Sequence, residues 1–451
     1  MTRFKQNTFG AGRVRLLLVV ASLAMCMVSV TARAGIVGET GPTFSLSAEE
    51  GYISVADGGS IYAWGYTSSG TMQLPGPTLI VNQGDPVEVT LTNNLPAAAG
   101  NVSIVFPGHV VSVDAGDPGV AGDLTQEAEP GGTVTYTFMA TEPGTYQYHS
   151  GTEPDLQVEM GLYGALIVRP ATAGCAYIPA ESCYDREYLY VLSEIDIDIH
   201  QAAELQAGGT GPIMLPAAAY HSEYWLMNGR AAPDTMAASG TGVLPTQPYG
   251  SLTRMHPGER VLMRVVGAGR EMHPFHHHGN HARLLARDGR MLLNTSGNLA
   301  GPLLFTIPSI PGATADAIFE WTGKDLGWDI YGHQPGDGSA CVDGNGDGYD
   351  DDNLPAGIGN NQGEWCADHN EAIPVTLPAL SSLAFGGFYS GSPYLGALGS
   401  LPPGEGGLNP EAGFAYMWHS HTERELVNND VFPGGMMTML IVEAPWVEIN
   451  D

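Results

Sequence analysis

The sequence predicts an all-β protein of two sandwich domains, the second carrying a loop-rich insertion. Three observations lead there. Gly (61) and Pro (32) are abundant while charged residues make up only 14% of the chain, so turns recur and long charged helices do not. Apolar and polar residues alternate over short runs, as at Val87, Val89 and Leu91 or Val134, Tyr136 and Phe138, the period of a strand with one buried face. These runs sit between turn signals, and a long amphipathic helix is nowhere evident.

Residues 1–34 read as a secretory signal peptide. Arg3, Lys5, Arg13 and Arg15 form a basic start, Leu16 to Val30 is apolar, and Ala32-Arg33-Ala34 is a small-x-small cleavage site before Gly35. The competing reading, a retained membrane anchor, needs roughly 20 apolar residues, more than this run supplies. Removing the signal takes away five basic residues and leaves 12 against 48 acidic ones. Such a surface excludes nucleic acid and anionic membranes as partners and favours metal cations. Four cysteines remain, an even count that suggests disulfides in an exported chain. Proximity favours Cys175–Cys183 and Cys341–Cys366, although four cysteines allow three pairings.

The first unit, residues 35–170, contains Pro75-Gly76-Pro77-Thr78-Leu79-Ile80-Val81 and Gly84-Asp85-Pro86-Val87-Glu88-Val89. It closes on Gly144-Thr145-Tyr146-Gln147-Tyr148-His149-Ser150 and Gly161-Leu162-Tyr163-Gly164-Ala165-Leu166-Ile167-Val168. A linker follows at 171–184. The second unit, 185–451, carries Trp225-Leu226-Met227-Asn228-Gly229, then His273-Pro274-Phe275-His276-His277-His278-Gly279 and Trp418-His419-Ser420-His421. It ends on Gly434-Gly435-Met436-Met437-Thr438-Met439-Leu440-Ile441-Val442, with an insertion at about 322–400.

On an extended strand residues i and i+2 share a face. His276 with His278, and His419 with His421, can therefore each aim two imidazoles at one metal, with His277 pointing away. Imidazole suits copper, and two such pairs can close a site. A single His-x-His is weak evidence, since core packing produces it too. Two pairs, with His149 ending a third strand, are much stronger.

These segments together resemble the multicopper oxidases, the family of laccases and copper efflux oxidases. The resemblance covers most of the mature chain except the insertion, with no room for a middle domain. It implies two cupredoxin-like Greek-key β-sandwiches and a copper cofactor of one to three ions. In the family, four histidine pairs hold a three-copper cluster. The third pair matches His276 and His278, and the fourth His419 and His421. The second is half present, His149 with Gly151 in its partner's place. The first is lost, with Val105 and Pro107 at its positions. His109 is a candidate replacement, unless Pro107-Gly108 turns it away to the surface. The family arrangement gives one copper to His149 and His421 and another to His278 and His419, with His276 holding a third only if a missing ligand is replaced.

A blue type 1 copper needs two histidines and a thiolate. Here His273 matches one histidine, Ser420 replaces the thiolate and Glu425 replaces the other histidine. His273 is then expected to be a hydrogen-bonded histidine rather than a ligand, and Glu423 and Glu425 to sit in a solvated loop. Met436, Met437 and Met439 could hold copper(I), but core packing in the last strand is the preferred reading. No catalytic residue beyond the metal site is assignable.

Separately, Asp343-Gly344-Asn345-Gly346-Asp347-Gly348 fits the D-x-N-x-D-G start of a calcium loop. Asp343, Asn345, Asp347 and Asp351 are the candidate ligands, with the Tyr349 carbonyl. Position twelve is Leu354, so the loop is no complete EF-hand.

The expected function is an exported, periplasmic or extracellular copper-dependent oxidoreductase of the multicopper oxidase type. It would have a reduced cluster, no type 1 site, and a small-molecule or metal-ion substrate reacting at or beside the cluster. The alternatives are a non-catalytic copper-binding or copper-storing cupredoxin protein, and an assembly protein that merely uses the scaffold. No membrane span is expected in the mature chain. Two-domain members of the family generally form trimers, which implies a homotrimer here.

Overall fold

The computed structural model describes residues 35–113, 117–324, 326–331, 340–350, 364–372, 391–392, 413–444 and 447–450. The expected signal peptide and the calcium candidate Asp351 lie outside them. Among the described residues no helix is long and apolar enough to cross a membrane.

The alternation read from the sequence becomes two layers of sheet in each domain. In the first, one sheet orders Ser60–Thr67, Thr43–Ser54, Pro86–Asn93 and Thr133–Met139. The other orders Glu39–Thr40, Leu79–Asn82, Tyr163–Arg169 and Gly144–His149. Val87, Val89 and Leu91 point into a core shared with Trp64, Tyr136 and Tyr148. The second domain pairs a sheet built on Arg186–Ile195, Arg260–Gly267, Thr314–Glu320 and Ala282–Arg287 with one built on Met437–Val442, Phe414–Ser420, His273–His277 and Thr306–Ser309. These are the layers of a cupredoxin fold.

The strand Arg186–Ile195 is buried along its whole length, as strands covered on both faces are. Its two faces serve different cores. Tyr188, Tyr190 and Leu192 enter the core of the second domain. Leu189, Val191 and Ile195 instead join Ile53, Met72, Leu74, Tyr163 and Ala165 of the first domain in a separate apolar seam. The sandwiches are thus joined by hydrophobic burial rather than by the linker alone. The linker is closed by a Cys175–Cys183 disulfide, and Cys341–Cys366 closes the insertion loop.

Sequence reasoning missed the longer of the two α-helices among the described residues, Ile197–Gln206, whose N-cap Asp196 accepts the amide of Asp198. Its amphipathic signal is weak because the helix buries only a narrow stripe: Ile199, His200 and Ala203.

A polar contact reinforces the seam. Arg264, fully buried, donates to Glu187 at 3.0 Å and to the Thr145 hydroxyl of the first domain at 2.9 Å. The same threonine hydroxyl donates to Asp316 at 2.6 Å. Removing the guanidinium leaves Asp316 with only the Tyr177 and Thr145 hydroxyls and Glu187 with Arg169, and breaking a buried ion pair in this way costs about 3–5 kcal/mol. Arg264→Ala should lower the denaturant midpoint accordingly, and a loss below about 1 kcal/mol would show that the network is not coupled to folding.

Candidate metal centre

Two antiparallel strands build the site. His273–His277 pairs with Phe414–Ser420 so that His276 lies directly opposite His419. The Pro274 carbonyl accepts the amide of His421 at 2.9 Å and holds the end of the segment in place. Strand alternation then puts all four expected histidines on one face. The ring of His276 lies 4.8 Å from those of His278 and His421 and 5.4 Å from that of His419. Ligand atoms of His276, His278 and His419 fall within 4.8 Å of one another. His277 points the other way, its Nε2 lying 3.0 Å from the Leu304 carbonyl and 3.2 Å from the Ala282 amide, among Phe319 and Trp418.

The tautomers suit a metal. His419 Nδ1 donates to the Ser420 carbonyl at 2.6 Å, leaving the Nε2 lone pair directed outward, 3.2 Å from His278 Nε2. His276 bonds Thr306 through Nδ1 at 2.9 Å, and its buried Nε2 has no partner. Burial and neighbouring imidazoles push the His276 pKa down to about 3. Burial pushes that of His419 down to about 4. Both rings are neutral, the form that binds metal. An orphaned nitrogen among neutral imidazoles fits a copper ion.

The first-domain candidates do not join this cluster within one chain. His149 ends its own strand, donates Nδ1 to the Ser150 carbonyl at 2.9 Å, and lines a different groove beside Arg270. Val105 pairs with it across an antiparallel bridge. A Cβ at Gly151 would come 2.7 Å from the Val105 side chain, so the valine fills the space of the missing histidine. His109 corrects the expectation of a replacement ligand. Pro107 and Gly108 (φ +90°) form a turn that packs its ring against Tyr146 and Phe138, 4.5 and 4.8 Å away. Tyr146 belongs to the opposite face of the strand from His149.

The type 1 position holds an ion triad. His273 Nδ1 donates to Glu425 at 2.9 Å and Nε2 to Glu194 at 2.8 Å, all three groups being buried. Donation from both nitrogens defines an imidazolium. Burial alone would lower its pKa, but the two carboxylates raise it to about 9. Glu425 is thus not in a solvated loop, whereas Glu423 is exposed, 3.3 Å from His421. The Ser420 hydroxyl is turned to the local chain, accepting the Thr422 amide at 3.2 Å. Met436 is buried in the core. Glu194 had no sequence signal, because it sits on a strand about 80 residues before its partner.

In the insertion, Asp343 accepts the amides of Gly346 and Asp347 through Oδ1 and that of Gly348 through Oδ2. Gly348 (φ +93°) makes the sharp turn expected of it. Asp329, Glu364 and His369 form a second convergent group nearby; the spacing of these residues gave no hint of it.

This geometry defines a two-domain cupredoxin-fold protein with a cluster of four histidines on one sheet face. Residues 54–173 match the family model described as multicopper oxidase. It is 39% identical over 104 residues to a multicopper oxidase of Byssochlamys spectabilis, covering 23% of this chain and 14% of the relative. With a copper-containing nitrite reductase of Alcaligenes xylosoxydans xylosoxydans it shares 29% identity over 297 residues, 64% of this chain and 80% of the relative. The blue copper oxidase of Nitrosomonas europaea shares the fold, with a TM-score of 0.53 at 20% identity, covering 89% of this chain and 86% of that one. The chain spans well under two thirds of the Byssochlamys relative's length.

The triad makes stability depend on pH. A histidine whose pKa is raised on folding contributes fully below its unfolded value, roughly 6.5, and loses that contribution as pH rises through about 9. The melting temperature should fall across this window, and His273→Gln should flatten the fall. An equal slope in the variant would remove the triad as its cause.

Proposed function

We propose that this chain is an exported copper-dependent oxidoreductase of the multicopper oxidase type, with a reduced copper cluster and no type 1 copper. The observation that carries the reading is the convergence of His276, His278, His419 and His421, beside a type 1 position filled by Glu194, His273 and Glu425. Copper, when bound, supplies one-electron redox chemistry. The chain's own part is to hold neutral imidazoles ready and to keep His276 and His419 largely out of water. With no thiolate beside the histidines, a small-molecule or metal-ion substrate reacts at or next to the cluster. The resemblance to two-domain trimeric members supports a homotrimer in which His149 of one copy meets the second-domain histidines of the next. A periplasmic or extracellular location follows from the signal-like residues 1–34.

A copper-storing protein is the second reading, favoured by the loss of three cluster histidines. Calcium is proposed for the loop of Asp343, Asn345, Asp347 and Asp351, supported by the turn at Gly348.

Copper-loaded protein should lack the intense blue absorption of a cysteine-bound copper. The His419→Ala/His421→Ala double variant should lose copper by metal analysis and electron paramagnetic resonance, while His273→Ala keeps it. A blue spectrum, or full occupancy in the double variant, would overturn the assignment. Oxygen or oxyanion reduction by the loaded protein separates enzyme from store: no turnover across a panel of phenols, metal ions and inorganic oxyanions leaves the storage reading.

Calcium has its own check. Stringent chelation should lower the melting temperature, because an ion bound only by the folded chain stabilises it. An unchanged melting curve would remove the ion from the loop.

A further inference from the structure

We propose that the groove at the junction of the two sandwiches, formed by Gln147, His149 and Arg270, binds a small planar monoanion of the carboxylate class. The open groove has a volume of about 380 Å³ and is lined also by Gly269, Gly312 and the exposed Asp155. Gln147 and His149 are two residues apart on one strand and so share its face.

Gln147 is the first pointer. Its side chain is 4% exposed, yet its Oε1 has no hydrogen-bond partner. An unpaired buried amide costs stability that a leucine in the same space would not. Because rotation exchanges its oxygen and nitrogen, the amide can offer a donor to a ligand in the groove.

Arg270 is the second. Its Nε pairs with Glu159 at 3.2 Å, and the guanidinium lies 4.7 Å from the Tyr220 ring centroid, which fixes its plane. Nη2 is buried and has no partner. Burial pushes the Glu159 pKa up to about 8, which weakens this carboxyl as a counterion for the guanidinium. A guanidinium N–H and an amide N–H lining one groove can each serve one oxygen of a carboxylate. The exposed Asp155 disfavours a dianion. His149 has Nδ1 committed to the Ser150 carbonyl, and this puts the anion beside a candidate copper ligand. The anion's role as substrate or copper-site ligand rests on the function proposed above, but its binding does not require copper.

The test is calorimetric titration of formate and acetate into metal-free protein, with chloride as the control anion. Saturable binding is expected for the carboxylates and none for chloride. Gln147→Leu should weaken binding about tenfold or more while raising the melting temperature without anion, a pairing that mere structural damage would not produce. Arg270→Lys, which keeps the charge but loses the planar fork, should weaken it as well. Absence of saturable binding, equal binding of chloride, or unchanged affinity in both variants would overturn the proposal. Copper occupancy, measured separately, shows whether the metal reading fails while this one stands.

Discussion

The pairing of His273–His277 with Phe414–Ser420 is the constraint on which the rest of the centre depends. Alternation along each strand decides which histidines face outward, and the register decides which face each other. With His276 opposite His419, one pair from each strand meets on a single face. A slip of one residue in either strand would turn that strand's His-x-His pair into the core. The buried rings of Phe275 and Trp418 on the opposite face hold that register, because exposing them costs apolar burial. Packing on one side of the sheet therefore sets the geometry of the histidine cluster on the other.

The same pair of strands carries the type 1 position, and here the chain exchanges one electrostatic solution for another. A copper ion bound by a thiolate and two histidines would place positive charge at the centre of a ring of ligands. Here the imidazolium of His273 is itself the central cation, and Glu194 and Glu425 are its counterions. Each ring nitrogen is occupied by a proton shared with a carboxylate, so neither can ligate a metal. The triad ties a strand of one sheet to a strand and a turn of the other, close to the segment that presents His419 and His421. Its contribution is to position that segment.

The apolar seam between the domains has a consequence of its own. Since Leu189, Val191 and Ile195 pack against Tyr163 and Ala165, the strand ending at His149 is held against the second domain at Ala268 to Arg270. This leaves His149 facing a groove rather than the four-histidine cluster of its own chain. Val105, filling the space beside Gly151, closes the position that a further first-domain ligand would need.

What the residues alone determine is whatever depends on local period and spacing. The sandwich strands at Val87–Leu91 and Val134–Phe138, the shared faces of His276/His278 and His419/His421, the turn of His277 away from that pair and both disulfide pairings by proximity are all legible, because alternation and short loops are properties of neighbouring residues. The resemblance adds which motifs are incomplete. Tertiary structure alone decides what fills the gaps. It brings Glu194 to His273 from a distant strand, buries Glu425 where a solvated loop was expected, and turns His109 into an aromatic pocket at Pro107-Gly108. It also leaves Gln147 and Arg270 facing a groove. Each of these outcomes depends on contacts between elements far apart in the chain. No period encodes them, and packing settles them only once both sandwiches are assembled.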